Sequence, residues 1–331
     1  MIPTKLYFGR AAEILGEVLP KGRVVVITDE NLLRLYPELV RGYDHIIIGI
    51  GEEVKSLSTV ARIYDELMDM GADRSTFLLG IGGGIVTDIT GFVASTYMRG
   101  VAFGFVSTTL LGQVDASVGG KNGVNFDGYK NIVGTITQPQ FVVSDVEMLR
   151  TLPERELRAG MAEVVKSAVV GDRELFDFLV RCDYSDICSS VESLRYIVSR
   201  AMEVKMAIVE EDERESGKRR LLNLGHTIGH AIEKCSSCLN HGEAVAVGMS
   251  LIARAACGLG VLKPSDAEEI DSLLLKLGFN LDTPVSMAEI LVAVRGDKKR
   301  NEEFINVVLP VAIGECEVRK MMFEEFEKLF V

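Results

Sequence analysis

Phe77-Leu78-Leu79-Gly80-Ile81-Gly82-Gly83-Gly84 is an apolar run that ends in glycines and passes into a helical pattern over residues 85–96. Continuous Phe, Leu and Ile, without polar alternation, suit a strand buried on both faces of a parallel sheet. The glycines let main chain come close to a ligand, and the helix that follows turns unpaired N–H groups and its positive dipole end toward an anion. Phosphate fits that arrangement; tight strand-to-helix packing without a ligand is the plain alternative. The spacing departs from the dinucleotide fingerprint G-x-G-x-x-G because position 85 is Ile, so this stretch alone does not make an ordinary Rossmann motif.

Similar apolar runs lie at residues 23–28, 45–49, 101–107 and 140–144, each closed by polar or glycine-rich punctuation. After Ser144 the character changes to long amphipathic segments at 153–170, 191–211, 223–234, 242–259 and 265–277. Thr151-Leu152-Pro153-Glu154 has the Thr, the early Pro and the Glu three positions on that mark a helix start. The expected fold is therefore α/β. An N-terminal Rossmann-like nucleotide-binding α/β domain takes residues 1–150, and a mostly α-helical domain takes residues 151–331.

Hydrophobic residues make up 47% of the 331 and charged residues 25%, the composition of a chain that can bury a substantial core. The net charge of −12 disfavours nucleic acid and anionic membrane surfaces as partners. Local clusters of cations are informative for the same reason. No apolar run approaches the roughly 20 residues that cross a bilayer, and Met1-Ile2-Pro3-Thr4-Lys5 lacks an export pattern, so the expected location is cytoplasmic. The six cysteines show no disulfide framework; Cys235-x-x-Cys238 could be half a zinc site or a redox pair, but no second pair answers it.

Three regions carry chemistry. Asp29 and Asn31 follow the first of these apolar runs, where a ribose binds in open α/β sheets, although capping a helix suits a lone Asp equally well. The block from Ser107 to Asn125 crowds hydroxyls, Asp115, paired glycines and Lys121, with Lys130-Asn131 after it and Arg99 before it; these cations point to a bound anion. In Gly225-His226-Thr227-Ile228-Gly229-His230 the two histidines share a helical face, and His241-Gly242-Glu243 follows. Imidazoles with one carboxylate suit zinc or a related divalent ion. Glu163, with Lys166 three positions on, is the candidate carboxylate; a surface ion pair is the alternative for those two. The charge run 210–220 reads as a solvated loop.

Together these residues resemble 3-dehydroquinate synthase. The resemblance runs from Asp29 to Pro310 and rests on Gly82-Gly83-Gly84-x-x-x-Asp88-x-x-Gly91-Phe92, the Thr108 to Asn125 block, Lys130-Asn131, Leu152-Pro153-x-Arg155-Glu156, Gly160-Met161-Ala162-Glu163, Asn223 through Ala231, His241-Gly242-Glu243-Ala244 and Asp297-Lys298-Lys299. It implies Glu163, His226 and His241 as ligands of zinc or cobalt, with His230 in acid–base chemistry instead of metal binding. NAD+ would lie along Asp29, Asn31, Glu52, Lys55, Gly83, Gly84, Ile85, Asp88, Thr108, Thr109, Asp115, Lys121, Lys130, Asn131, Thr151, Leu152 and Glu156. The substrate would meet Arg99, Asp115, Lys121, Asn131, Lys166, Lys205, Glu215, Arg219, Asn223 and one of Lys298 or Lys299.

The implied reaction turns 3-deoxy-D-arabino-heptulosonate 7-phosphate into 3-dehydroquinate and phosphate. It proceeds by transient oxidation with NAD+, phosphate elimination, reduction, ring opening and intramolecular aldol closure, so NAD+ is regenerated. The resemblance also implies a homodimer. The competing readings are a metal-dependent NAD(P) polyol or glycerol-phosphate dehydrogenase and a cyclase acting on another sugar phosphate. Lys121, Lys130, Lys205, Arg219 and the Lys298-Lys299 pair have no evident use on a small polyol.

Overall fold

The computed structural model describes residues 4–297 and 303–330, so Lys298 and Lys299 lie outside the described residues. The chain divides into two compact units, Met1–Pro153 and Glu154–Val331.

The first unit is built on six parallel strands: β1 (Lys5–Phe8), β2 (Val24–Thr28), β3 (Asp44–Ile47), β4 (Phe77–Gly82), β5 (Phe103–Ser107) and, after a hairpin, β8 (Phe141–Ser144). Their order is β1-β8-β5-β4-β2-β3. Between them run α1 (Ala11–Val18), α2 (Glu30–Leu35), α3 (Pro37–Val40), α4 (Leu57–Asp69) and α5 (Gly84–Thr96). Alternate side chains of one strand serve opposite faces. Val25, Ile27 and Leu78 pack with Ile63 and Leu67 of α4 and Ile89 and Val93 of α5. Val24, Val26, Leu79 and Ile81 pack with Leu15 of α1 and Leu39 and Val40 of α3. Both faces are therefore covered, which is why these strands read as continuous apolar runs.

Two features went unread in the sequence. Lys5–Phe8 is an edge strand, and the polar region that begins at Thr108 leads into the antiparallel hairpin β6 (Lys121–Phe126) and β7 (Tyr129–Ile136). Strand order reverses direction between β2 and β4, because the chain leaves β2 for β3 on one side and returns to β4 on the other. Ligands of open α/β sheets bind beyond the carboxyl ends of the strands at such a point.

The second unit is mostly helical: α6 (Glu154–Gly171), α7 (Arg173–Arg181), α8 (Tyr184–Ser189), α9 (Val191–Glu211), α10 (His226–Cys235), α11 (His241–Gly258), α12 (Pro264–Lys276), α13 (Met287–Asp297) and α14 (Phe323–Glu327), with the antiparallel pair β9 (Phe304–Ala312) and β10 (Glu315–Met322). α6 is buried along twelve successive residues, 159–170, far more than an amphipathic surface helix would be. α11 packs against α6, α10 and α12, so α6 and α11 form the interior of the unit. Among the described residues no helix is long and apolar enough to cross a membrane.

Candidate active site

In the first unit several of the implied cofactor residues follow the carboxyl ends of the sheet strands. Asp29 directly follows β2, Gly83 follows β4 and Thr108 follows β5. Asp29 does cap α2, accepting from the Leu32 N–H at 3.0 Å. Burial pushes its carboxyl above the usual carboxylate range. Gly83 and Gly84 open α5 without a side-chain cap, so its first N–H groups face outward from the sheet edge beside Ile85. Packing also needs small residues here, since a Cβ on Gly84 would lie 3.0 Å from that of Ala116. Tight packing is thus one reason for the glycine run, and the uncapped helix start leaves room for the other.

Lys55, buried on the turn after β3, donates to Asp88 Oδ2 and Asn131 Oδ1, each at 2.5 Å. Glu52 accepts from Asn125 Nδ2 at 2.7 Å, and Glu52, Lys55, Asn125 and Lys130 line one pocket. Asp115 lies in the wide π-type turn Gly112–Ala116, and the Thr109 hydroxyl accepts from the Gly112 N–H at 3.0 Å. Thr151 pairs with the Tyr36 hydroxyl at 2.8 Å, and Leu152 follows it. Lys121 is exposed at the start of β6, and Arg99 and Asn131 hold positive φ values of 69° and 54°. Non-glycine residues in that region cluster where a side chain has to be aimed. Asn31 sits in α2, its side chain accepting from Arg34 at 3.3 Å.

In the second unit Glu163 and Lys166 are not a surface pair. Both are fully buried on α6 and form an ion pair with each other. Glu163 Oε1 lies 3.5 Å from His226 Nε2 and 3.4 Å from His241 Nε2. Ligands bound at about 2.1 Å around a tetrahedral ion stand about 3.4 Å apart. Neither oxygen of Glu163 closes a hydrogen bond of good geometry, so a buried carboxylate and two imidazole nitrogens converge without satisfying one another. That donor set fits a divalent ion such as zinc or cobalt.

Burial alone would raise the Glu163 carboxyl, but Lys166 and the imidazoles hold it well below the usual range. Burial pushes His226 down to about 3. For His241 burial is outweighed by Glu163 and Glu233, and its pKa is pushed up to about 10.

The helices meet this way for local reasons. Gly225, at φ 76°, turns the chain into α10, and its backbone lies against α11, where a Cβ would fall 2.8 Å from Val245 O. Asn240 and Glu243 form a capping box that starts α11 at His241. Arg155 of α6 clamps Glu243 with hydrogen bonds of 2.9 and 2.7 Å. Gly242 touches α6 so closely that a Cβ would sit 2.2 Å from Ala159 O. Glu243 of the His-Gly-Glu motif thus builds the corner and is not a ligand. His226 and His230 do share a face, with ring centroids 5.3 Å apart, but the group that closes on Glu163 is His226 with His241. His230 lies 5.9 Å from His241, ring to ring. The four-residue spacing alone suggested His226 with His230, whereas the ligand atoms that converge on Glu163 are those of His226 and His241.

The expectation of a solvated loop over 210–220 also fails in part. Asp212 gathers that loop, and Arg219 at its end is buried, donating to Glu213 O at 2.5 Å. Asn223 Nδ2 donates to Glu215 Oε1 at 2.6 Å, with Glu215 held at φ 58°. Lys205 is buried on α9, which packs against the turn 218–223, as α6 does. Glu156 is exposed near the start of α6. Cys235 and Cys238 are free and exposed, and neither belongs to a metal-binding group among the described residues. Sequence reasoning missed Glu233, which lies 3.1 Å from His241 Nδ1 and shares the α10 face of His226 and His230 at the next helical spacing.

Comparison with known proteins identifies the family. The profile of the 3-dehydroquinate synthase N-terminal domain matches residues 45–159, and that of the C-terminal domain matches residues 160–300. The 3-dehydroquinate synthase of Pyrococcus abyssi is 44% identical over 311 residues, covering 91% of this chain and 90% of its own length. That of Streptococcus sanguinis is 40% identical over 330 residues, 96% and 93% of the two chains. Among solved structures, 2-deoxy-scyllo-inosose synthase complexed with carbaglucose-6-phosphate, NAD+ and Co2+ superposes with a TM-score of 0.87 at 27% identity, covering 98% and 95% of the chains. The 2-epi-5-epi-valiolone synthase from Streptomyces hygroscopicus, with NAD+ and Zn2+, gives 0.89 at 27%, covering 99% and 96%. A probable glycerol dehydrogenase from Sinorhizobium meliloti shares the fold, at a TM-score of 0.69 and 15% identity over 99% and 95% of the chains. With both units matched by profiles of one family and curated relatives aligned over about nine-tenths of their length, the chain belongs to the 3-dehydroquinate synthase family.

Proposed function

We propose that this protein converts 3-deoxy-D-arabino-heptulosonate 7-phosphate to 3-dehydroquinate and phosphate, as its family does, with NAD+ and a divalent metal. The observation that carries the reading is the buried Glu163 carboxylate facing two imidazole nitrogens at 3.4 and 3.5 Å, with Lys166 against it. When bound, NAD+ takes up and returns a hydride, and the metal lowers the pKa of a substrate hydroxyl.

The chain's own part is binding, orientation and proton movement. Glu163, His226 and His241 hold the metal. Lys166, Lys205 and Arg219, kept from bulk water, supply the cationic contacts that a carboxylated sugar phosphate needs, and Asn223 is oriented by Glu215. His230, exposed beside the two ligand imidazoles, relays protons. Arg99, Asp115, Lys121 and Asn131 complete the substrate contacts, joined by Lys298 or Lys299. Asp29, Asn31, Glu52, Lys55, the Gly83 to Ile85 turn, Asp88, Thr108, Thr109, Lys130, Thr151, Leu152 and Glu156 serve NAD+, with Asp115, Lys121 and Asn131 shared between the two.

We assign residues 1–150 to NAD binding and 151–331 to metal and substrate. The six free cysteines suit a reducing compartment such as the cytoplasm. A homodimer is part of the proposal, supported by the exposed apolar Ile132 and Ile136 of β7.

Metal dependence tests the reading. Protein stripped by a chelator and given NAD+ and the heptulosonate phosphate is expected to release no phosphate, and one equivalent of zinc or cobalt is expected to restore release. Full activity in the stripped protein contradicts the proposal.

A further inference from the structure

His226 and His241 present the same nitrogen, Nε2, to Glu163, yet their far nitrogens are held differently. His226 Nδ1 donates to the Leu224 carbonyl at 3.0 Å. His241 Nδ1 lies 3.1 Å from Glu233 Oε2, a carboxylate only 9% exposed. A hydrogen bond at one ring nitrogen decides which nitrogen carries the proton, fixes the rotation of the ring and sets the basicity of the other nitrogen. A carboxylate does this more strongly than a carbonyl, because the bond is charge-assisted.

The placement is not explained by helix construction. The capping box at the start of α11 is made by Asn240 and Glu243, and Arg155 anchors Glu243, so Glu233 has no part in starting that helix. Glu233 stands on α10 one turn beyond His230 and two beyond His226, and so reaches across to the ring that α11 brings in. His241 begins α11 and is the ligand least enclosed by its surroundings, with its side chain 29% exposed against 11% for His226 and 1% for Glu163. It is therefore the ligand most in need of a partner to hold its ring.

We propose that Glu233 is a positioning residue of the metal site, holding His241 by Nδ1–H so that Nε2 faces the ion. The proposal rests on the reading that Glu163, His226 and His241 bind that ion. One rival comes from the same atoms: His230, Glu233 and His241 offer ligand atoms within 4.8 Å of one another, which could mark a second ion. That ion would need both ring nitrogens of His241 deprotonated, which the short contact between Nδ1 and the carboxylate disfavours.

The test is zinc affinity, measured by competition with a chromophoric chelator, together with the visible absorption and metal content of the cobalt-loaded protein. Wild type is expected to bind one ion per chain and His226→Ala to lose it. Glu233→Ala is expected to weaken zinc about 10- to 100-fold and to alter the cobalt spectrum. Glu233→Gln, which keeps the volume and an acceptor oxygen, is expected to fall between the two, a graded rescue that a purely structural role would not give. Should Glu233→Ala fail to fold, Glu233→Gln carries the test, and wild-type affinity and spectrum in it overturn the proposal. Unchanged binding in Glu233→Ala, or two ions in wild type falling to one in the variants, likewise overturns the positioning role alone. Wild-type binding that survives His226→Ala overturns the metal reading and the proposal with it.

Discussion

Glu163 sits fully buried between Lys166 and two imidazoles, so what its removal does depends on the charge left behind. Glu163→Gln keeps the shape but removes the carboxylate with which the Lys166 ammonium pairs in the interior. Breaking a buried pair from one side costs about 3–5 kcal/mol. The metal-free variant is expected to unfold at correspondingly lower urea than wild type and to take up no zinc. An unchanged midpoint would mean that Lys166 is neutral or solvated. The sequence showed Glu163 and Lys166 on one helical face, but burial could not be read from a three-residue spacing. Spacing is limited at His230 for a related reason: four residues apart guarantees a shared face and says nothing about which partner arrives from another helix.

At the level of elements, the site depends on how closely α11 approaches α6. Gly242→Ala would drive a Cβ to 2.2 Å from Ala159 O, and overpacking of this kind costs about 1–3 kcal/mol. Lower stability in denaturant unfolding and weaker zinc binding are expected together, because His241 moves with its helix; zinc binding at wild-type strength would separate the two. The loop after α9 has its own organiser. Asp212 accepts from the N–H groups of Ser216, Gly217 and Arg219 at 2.9, 2.7 and 3.1 Å. The hydrogen bond from Gly217, with those from Ser216 and Arg219, holds its carboxyl below the usual range. A carboxylate lowered in the fold supports it above the unfolded pKa of about 3.9, and the support is lost as pH falls through the folded value. Amide protection at Ser216, Gly217 and Arg219, taken relative to intrinsic exchange at each pH, is therefore expected to fall at acid pH in wild type, and to be low already at neutral pH in Asp212→Ala, with a raised KM for substrate. Slow exchange in that variant would contradict the role. The sequence showed only a charge run here, because a hub of main-chain donors around one Asp leaves no pattern in residue types.

Across the whole molecule, the strands of the parallel sheet and the long helices were the most legible parts. Burial on both faces removes alternation from β2, β4 and β5, and α9, α11 and α12 carry long apolar periodicity. The hairpin β6–β7 was hidden because its polar, glycine-rich residues read equally well as a ligand loop, and β1 because four half-exposed residues carry little signal. Glu163 stands 63 positions before His226 (226 − 163), and no local spacing connects them; the family resemblance did. The cations of an acidic chain were legible as types, while the burial of Lys166, Lys205 and Arg219 emerged only from packing. The proposed reaction is an internally redox-neutral cyclisation, and phosphate release followed together with NADH absorbance reports on both halves of it, with zinc-loaded protein, 3-deoxy-D-arabino-heptulosonate 7-phosphate and catalytic NAD+. One phosphate per substrate consumed and no accumulating NADH are expected, whereas no phosphate but net NADH formation from glycerol or glycerol phosphate would overturn the proposal.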